Sequence, residues 1–313
     1  MSVDASFTAL LADRRNELRR PPPGVAVADV RSAFASFMRT STGPEIKRID
    51  TLTIDGCQVS RLPVRLYRPS LQPELPAVVF CHGGGFVLGD LDTHDALCRG
   101  LAHSSGCVVV AVDYRRAPEY PFPIAIDDCL MVLDWIRREA GALGVHVARI
   151  AVAGDSAGAH VAIGAALSAR DRGIELRHAA LLYPVIDPTC SSRSMGQYAN
   201  GYLLTREAMQ WFWECYLPPT AAVADPRARL LTADLRGFPP TTVLTAEFDP
   251  LCDEGEAFAA RLRAASVPVE LCRMAGAVHG FAGLPQVTPL AAKAVDFIGG
   301  ALRRSLTNFG QST

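Results

Sequence analysis

Short apolar runs alternate with longer amphipathic segments along most of the chain. The apolar runs, each about as long as a strand, are 77–81, 107–112, 149–154, 179–184, 242–247 and 267–274. Patterns typical of helices fall near 92–104, 126–140, 157–171, 252–265 and 287–305. Strands that are apolar on both faces belong in a parallel sheet covered by helices, so the alternation predicts a three-layer α/β domain.

The N-terminal part of the chain carries different patterns. Amphipathic helices are predicted over 4–20 and 25–40, and Pro21-Pro22-Pro23-Gly24 ends the first of them. Two β-rich stretches follow, at 49–54 and 59–68. Asp55-Gly56 lies between these stretches and is a signal for a hairpin turn. The sheet is therefore expected to open with an antiparallel pair.

One long segment interrupts the alternation. Residues 185–238 separate two predicted strands and are far longer than such a connection needs to be. The segment is rich in aromatic residues, namely Tyr198, Tyr202, Trp211, Phe212, Trp213 and Tyr216. We expect it to be helical and to form a cap over the sheet together with the N-terminal helices. The predicted division is 1–45 for the N-terminal part of the cap, 46–184 and 239–313 for the core, and 185–238 for the cap insertion.

The composition narrows the classes of function. Lys and Arg number 31 and Asp and Glu 32, and the formal net charge of -1 gives no reason to expect nucleic acid or a charged membrane surface as a partner. No apolar run approaches the roughly 18 residues that span a bilayer, and residues 1–20 lack the pattern of a secretory signal. The nine cysteines occur singly and without a CxxC pair, which argues against a zinc site and a disulfide framework and favours a cytoplasmic location.

The segment Gly154-Asp155-Ser156-Ala157-Gly158 fits the pattern G-x-S-x-G. It follows an apolar strand and precedes a helix of small residues, which is the context that a nucleophile elbow requires. Glycines at both ends keep neighbouring groups clear of the tight turn. The serine hydroxyl would project at the head of the helix, near the positive end of the helix dipole. Ser156 is therefore the candidate nucleophile.

A second glycine-rich segment, His82-Gly83-Gly84-Gly85-Phe86, directly follows the strand at 77–81. Acyl transfer needs backbone N–H groups aimed at a negative oxygen, and a glycine run lets the backbone approach that oxygen closely. A phosphate loop is the alternative, but the chain lacks both glycine patterns typical of one. The predicted donors are the amides of Gly84, Gly85 and Ala157. The residues that support these motifs without reacting are His82, Gly83 and Asp155.

A serine hydroxyl needs a general base, which in turn needs an orienting acid. In proteins with this elbow, the acid and then the histidine follow the serine along the chain. Three histidines follow Ser156: His160, His178 and His279. His160 lies one turn along the same predicted helix, and His178 precedes a strand at the wrong end of the sheet. His279 follows the strand at 267–274 and is the candidate base.

The acid is expected directly after the strand at 242–247. Asp249 lies there and is the candidate. Glu247 and Asp253 are its competitors, and Asp253 is expected to cap or brace the loop.

The segments HGGGF, GDSAG, DPL and HGF together resemble those of the hormone-sensitive-lipase-like family of carboxylesterases. They occur in order at the ends of predicted strands, and the resemblance runs from about residue 45 to the C-terminus. It implies an α/β-hydrolase fold, with a mostly parallel, twisted sheet of about eight strands, helices on both faces and a helical cap. It also implies hydrolysis of short- to medium-chain acyl esters through an acyl-enzyme, without a metal or another cofactor. Arg116 departs from the family, which commonly has leucine there.

The substrate pocket and the partners are less constrained by the motifs. Phe86, Tyr202 and Trp211 are predicted to line the pocket because they lie in the cap or beside the glycine loop, with packing inside the cap as the alternative for Trp211. An amidase or lactonase using the same site, and a non-catalytic receptor for a small molecule, are the alternative functions. The expected partner is a small ester. The strand at 267–274 is a candidate sheet edge, so a homodimer through it is a further hypothesis.

Overall fold

The computed structural model describes residues 2–56, 59–217 and 225–307. The strands are β1 (Arg48–Gly56), β2 (Val59–Arg68), β3 (Leu75–Cys81), β4 (Val108–Val112), β5 (Val145–Asp155), β6 (His178–Leu182), β7 (Thr241–Phe248) and β8 (Val269–Val278). The helices are α1 (Thr8–Ala12), α2 (Val27–Met38), α3 (Asp95–Ser105), α4 (Ile124–Arg138), α5 (Ala140–Leu143), α6 (Ala157–Asp171), α7 (Arg193–Gln197), α8 (Arg206–Tyr216), α9 (Cys252–Ala264) and α10 (Leu290–Thr307).

The eight strands form one sheet in the order β1-β2-β4-β3-β5-β6-β7-β8. Both pairings of β2, with β1 and with β4, are antiparallel. The other pairings, which join β4, β3, β5, β6, β7 and β8 in that order, are parallel. β3, β4 and β6 are buried along their whole length, because helices cover both faces of the sheet. The predicted sheet, mostly parallel with about eight strands, is confirmed.

Alternate residues of a strand face opposite layers, and β3 shows this clearly. Val79 and Cys81 belong to the core shared with α4, α6 and α9. Val78 and Phe80 belong to the core shared with α3 and α10. This alternation is the usual consequence of strand geometry and makes one sheet the centre of two apolar layers. Because strands β3 to β8 run parallel, their carboxyl ends lie at the same edge of the sheet.

The prediction of a single helix over 4–20 is wrong. The segment contains only α1 between two short 3₁₀ turns, Ala5–Phe7 and Arg14–Asn16. The carboxylates of Asp4 and Asp13 each accept the amide two residues on, which stabilises local turns in place of a continuous helix. The chain then becomes extended, and Leu18 pairs with Leu204 in an isolated bridge.

The prediction of the first hairpin is half right. β1 and β2 pair antiparallel as expected, but Asp55-Gly56 lies inside β1, with Gly56 opposite Val59. Ile54 pairs with Leu62, and both side chains are buried, so their burial fixes the register and carries the strand beyond the predicted turn. The connecting residues 57–58 lie outside the described part.

The long segment after β6 contacts the N-terminus of the chain, as a cap made of both parts would require. The amide of Leu18 donates to the carbonyl of Leu203 at 2.6 Å, and the Thr205 hydroxyl donates to the carbonyl of Leu18 at 2.8 Å. Arg20 forms an ion pair with Glu214 in α8. The segment contains α7, α8 and a 3₁₀ turn at Pro226–Ala228, and its residues 218–224 lie outside the described part.

Candidate active site

Ser156 occupies a sharp turn between β5 and α6. Its φ of 54° and ψ of -122° lie in a region that L-residues rarely adopt. The turn is possible only because its neighbours are glycines. A Cβ on Gly154 would lie 2.4 Å from the backbone of Gly158, and a Cβ on Gly158 would lie 2.0 Å from the carbonyl oxygen of Cys81. The strained turn therefore presents the serine side chain at the N-terminus of α6, as a nucleophile elbow does.

A chain of hydrogen bonds leads from this serine to two further strand ends. Nε2 of His279, directly after β8, lies 2.9 Å from Oγ of Ser156. Nδ1 of the same ring lies 2.7 Å from Oδ2 of Asp249, directly after β7. The second carboxylate oxygen of Asp249 accepts the amide of Leu251 at 2.8 Å, and the aspartate is fully buried. The structure thus brings together the predicted nucleophile, base and acid, in an arrangement that can move a proton from the serine to the imidazole.

The competing acids have other partners. One carboxylate oxygen of Asp253 accepts the amide of Ser194 at 2.8 Å, which braces the loop before α7. Glu247 accepts the amide of Gly276 at 2.8 Å. Within the described part of the chain, Asp249 is the carboxylate that is hydrogen-bonded to His279.

The two remaining histidines after Ser156 are buried away from the reaction centre. Nδ1 of His160 lies 3.2 Å from the carbonyl oxygen of Val185, and burial lowers the pKa of His160 to about 4. His178 lies between the hydroxyls of Thr242 and Ser305, at 3.0 and 3.1 Å, and burial also lowers its pKa to about 4. Both rings are therefore neutral packing residues near neutral pH.

The glycine loop after β3 lies beside the serine. The Gly83 amide donates to Oδ1 of Asp155 at 2.8 Å. Gly84 and Gly85 have positive φ angles of 117° and 61°, and within the described residues their amides donate to no acceptor. Ala157 begins α6, where an amide has no partner inside the helix. These three amides can therefore serve a negative oxygen formed next to Ser156.

His82 stabilises the glycine loop through contacts of its ring and of its backbone carbonyl. Its Nδ1 lies 2.8 Å from the carbonyl oxygen of Gly83, and its ring stacks on Tyr114 with centroids 4.2 Å apart. The Tyr114 hydroxyl donates to the carbonyl of His82 at 2.8 Å. Burial, followed by the charge of His94, lowers the pKa of His82 to about 3, so the ring is neutral. The family resemblance includes the stretch Asp113-Tyr114-Arg115, but no role was predicted for Tyr114, and no motif indicated His94.

The cavity over the serine has mostly apolar walls. α2 contributes Phe34, Phe37 and Met38. The cap segment contributes Leu203, Leu204, Met209 and Phe212. The wall residues of α2 have a helical spacing of three and four, as do Met209 and Phe212 in α8, so the periodicity of the two helices was the available signal.

The structure does not place Phe86, Tyr202 and Trp211 on the wall of this cavity. Phe86 stacks on the ring of Tyr216 with centroids 3.8 Å apart. Tyr202 packs against Phe248. Trp211 precedes the wall residue Phe212 by one position, and one position turns the side chain by about 100° around the helix axis. The predicted pocket residues therefore pack behind the wall.

Two negative findings apply to residues 2–56, 59–217 and 225–307. No group of three or more His, Cys, Asp or Glu side chains there could hold a metal ion. No helix in these ranges combines the length and the apolar character needed to cross a membrane.

Comparisons with known proteins agree with this geometry. Residues 78–283 match the family model described as alpha/beta hydrolase fold. The chain is 39% identical over 300 residues to the carboxylic ester hydrolase LipN of Mycobacterium tuberculosis, covering 91% of this chain and 79% of that relative. It is 39% identical over 267 residues to the ethyl acetate hydrolase of Pseudomonas putida, covering 83% of both. The solved structure of a hyperthermophilic esterase from the archaeon Pyrobaculum calidifontis superposes with a TM-score of 0.92 at 37% identity, over 97% of this chain and 99% of the other.

The fold and the site define a serine hydrolase built on a mostly parallel α/β sheet. The chain belongs to the alpha/beta hydrolase family and, within it, to the hormone-sensitive-lipase-like carboxylesterases. The predicted fold class, family and enzyme class are thereby confirmed.

Proposed function

We propose that this carboxylesterase hydrolyses esters with short to medium acyl chains, using Ser156 as nucleophile, His279 as general base and Asp249 as the orienting acid. The observation that carries the proposal is the hydrogen-bond chain from the Asp249 carboxylate through both ring nitrogens to the serine hydroxyl. His279 accepts the serine proton while Oγ attacks the ester carbonyl carbon. The amides of Gly84, Gly85 and Ala157 stabilise the oxyanion that forms.

The two half-reactions use the same base. His279 returns its proton to the leaving alcohol, which departs and leaves the acyl group on Ser156. A water molecule then loses a proton to His279 and attacks the acyl carbon, and the serine is released with the free acid. The buried Asp249 carboxylate favours the charged imidazole that forms in each half-reaction and holds it in the required tautomer.

The walls of the cavity support the proposed size of the acyl group. Aromatic and aliphatic side chains of α2 and α8 meet above the serine, so an acyl chain finds apolar surface and a limited space. Among the relatives, the name of the Pseudomonas putida protein gives ethyl acetate as its substrate. We propose on the same grounds that residues 1–45 and 185–238 form one cap and that this cap sets the preferred chain length.

The cysteines and the order of the strands bear on the location and the assembly. Eight cysteines in the described residues are free thiols, which supports the expected cytoplasmic location. β8 ends the order of the sheet, so pairing of two copies through this strand stays a prediction. Light scattering at micromolar concentration tests it, and a monomeric mass would exclude the dimer.

The decisive experiment measures turnover of p-nitrophenyl esters from acetate to palmitate, with Ser156→Ala in parallel and the matching p-nitroanilides as amide substrates. We expect a maximum at a short or medium chain, little amide hydrolysis and a loss of about 10⁶-fold in the variant. A preference for palmitate or for the amide would contradict the proposed substrate class. A folded wild-type protein without turnover would favour the receptor alternative.

A further inference from the structure

A buried carboxylate joins the serine turn to the glycine loop. Asp155 directly precedes Ser156 and is 5% exposed. Its Oδ1 accepts the Gly83 amide at 2.8 Å, and a Cβ on Gly83 would lie 2.6 Å from its Oδ2. The loop backbone therefore lies directly against the carboxylate. A shift of the Asp155 side chain would move Gly83 and, with it, the next two amides of the loop.

His94 faces the same carboxylate from another element. It lies just before α3, is 4% exposed, and its Nε2 is 3.4 Å from Oδ1 of Asp155 and 3.2 Å from the Gly83 nitrogen. Its Nδ1 lies 2.9 Å from the Thr93 hydroxyl, which fixes the orientation of the ring. The mechanism above uses none of these contacts, although the ring lies beside the cavity.

The hydrogen bonds around the ring determine which nitrogen carries the proton. The Thr93 hydroxyl donates to the carbonyl oxygen of Asp90 at 2.9 Å, so it accepts the proton of Nδ1. Nε2 is then an acceptor, and the Gly83 N–H donates to it at 3.2 Å and to Oδ1 of Asp155 at 2.8 Å. Two buried acceptors from different elements therefore share the amide proton of Gly83.

We propose that His94 is a positioning residue for the oxyanion hole. Its Nε2 and the Asp155 carboxylate both accept the Gly83 N–H, and Gly83 thereby aims the amides of Gly84 and Gly85 at the reacting carbonyl. The proposal rests on the oxyanion role given to these amides under the proposed function. Donors that are fixed before the reaction stabilise the transition state without reorganising, so a loosened loop lowers kcat more than it raises KM.

Two substitutions separate the hydrogen bond from the packing of the ring. His94→Phe retains a flat aromatic ring, which suits the neighbouring rings of His82 and Phe80 at 5.4 and 6.5 Å, but it removes the acceptor of the Gly83 N–H. His94→Gln retains an acceptor, its side-chain oxygen, at the position of Nε2. His178→Phe is the matched control, because His178 is another buried histidine with two hydroxyl partners, far from the loop in the chain and absent from the cavity wall.

The kinetic expectation concerns kcat. His94→Phe should lower kcat for p-nitrophenyl acetate by about 10–100-fold, less than the roughly 10²–10³-fold loss expected when a donor itself is removed. KM should stay within about threefold of the wild-type value, because the ground state makes little use of the oxyanion donors. His94→Gln should restore most of kcat, and His178→Phe should leave kcat within about twofold while lowering the melting temperature.

A second readout does not depend on ester turnover. Hydrogen exchange of the peptide covering residues 82–89, followed by mass spectrometry, should be faster in His94→Phe than in the wild type, His94→Gln or His178→Phe. If the wild type hydrolyses no ester, the proposed function fails, while the exchange rates still test whether His94 holds the loop. If His94→Phe does not fold, His94→Asn replaces it, because the shorter amide does not reach the Gly83 N–H.

Three results would overturn the proposal. The first is an unchanged kcat and unchanged exchange in His94→Phe, or in His94→Asn where that variant replaces it. The second is a His94→Gln protein as impaired as the variant without the acceptor. The third is an equal loss of kcat in His178→Phe, which would attribute the effect to the removal of any buried histidine.

Discussion

The floor of the catalytic cavity is made from strand ends, whereas its roof is made from α2, α8 and the N-terminal segment. In the floor, Ser156, Asp249 and His279 directly follow β5, β7 and β8, and backbone contacts fix them. In the roof, a side chain links α2 to the loops beside the floor. Arg31 of α2 donates to the carbonyl oxygens of Val87 and Ala117 at 2.8 and 2.9 Å.

This difference separates two tasks. The floor must hold reacting atoms to within about 0.5 Å of the productive geometry, and parallel strands with a common buried edge provide that precision. The roof only has to offer apolar surface of a suitable shape, so its contacts can differ without disturbing the reaction. Substitutions in the floor should therefore change kcat strongly, and substitutions in the roof should change substrate preference or stability.

The largest effect is expected at the acid of the floor. Asp249→Asn should lower kcat by about 10⁴-fold, because the amide favours the wrong tautomer of His279 while retaining the shape of the carboxylate. Asp253→Asn is the matched control and should cost less than about tenfold, because this carboxylate braces the backbone of Ser194. Steady-state kinetics with p-nitrophenyl acetate gives both values. A larger loss of kcat in Asp253→Asn than in Asp249→Asn would show that Asp253, and not Asp249, is the orienting acid.

The next effect is expected where floor and roof touch. A Cβ on Gly85 would lie 2.3 Å from the ring of Phe212, and the φ of 61° adds strain to any other residue. Gly85→Ala should therefore lower kcat by roughly 10²–10³-fold through a displaced oxyanion donor. Phe212→Ala in the same protein should recover part of the loss by making room for the methyl group.

Gly196→Ala in α7 is the control for this pair, since no atom lies within 4 Å of the added Cβ. Its kcat should match that of the wild type. If Phe212→Ala recovers no kcat in the Gly85→Ala protein, the clash with the Phe212 ring is not the cause of the loss.

A smaller effect, on specificity, is expected for the roof itself. Met209→Ala removes part of the cavity wall and should shift the preferred acyl group towards longer p-nitrophenyl esters, with acetate turnover within about tenfold of wild type. Trp211→Ala, on the same helix but off the wall, should leave the chain-length profile unchanged. The opposite pattern would restore the expectation drawn from the sequence, in which Trp211 lines the pocket.

The smallest effect is expected on stability where the roof is tied to the N-terminus. The Thr205 hydroxyl donates to the carbonyl of Leu18 and accepts the amide of Ala208 at 3.1 Å, so it caps α8 and holds the N-terminal segment at once. Thr205→Val should lower the free energy of unfolding by about 1–2 kcal/mol in urea denaturation. Thr205→Ser retains both bonds and should cost clearly less. Equal losses in the two variants would attribute the effect to the missing methyl group.

The sequence predicted the floor far better than the roof, and the reason is the range of the interactions. The strand–turn–helix around Ser156, and the positions of Asp249 and His279 after their strands, depend on neighbours in the chain, and local patterns report those. The roof depends on contacts such as Leu18 with Leu204, which join distant segments and leave no local pattern. The end of the assumed helix over 4–20 failed for this reason, because Leu18 is extended and pairs with Leu204. Its earlier part failed for a local reason, the turns stabilised by Asp4 and Asp13.

The same distinction applies within the site. The glycine runs indicated the oxyanion loop because only glycine fits there. His94 and Tyr114 support that loop through space from other elements, so no spacing in the chain marks them. Trp211 and Phe212 are adjacent large aromatic residues, so the sequence did not show which of them lines the cavity. The orientation of α8 about its axis decides this, and it places Phe212 on the wall.

The central claim is that Ser156 carries the acyl group between two half-reactions. Acid quenching during turnover of p-nitrophenyl acetate, followed by proteolysis and mass spectrometry, tests it directly. The predicted result is one acetyl group on the side chain of Ser156, together with a burst of p-nitrophenol equal to the enzyme concentration if deacylation is the slower step. Two results together would contradict the account. The acetyl group would lie on another side chain whose substitution abolishes turnover, and Ser156→Ala would remain active.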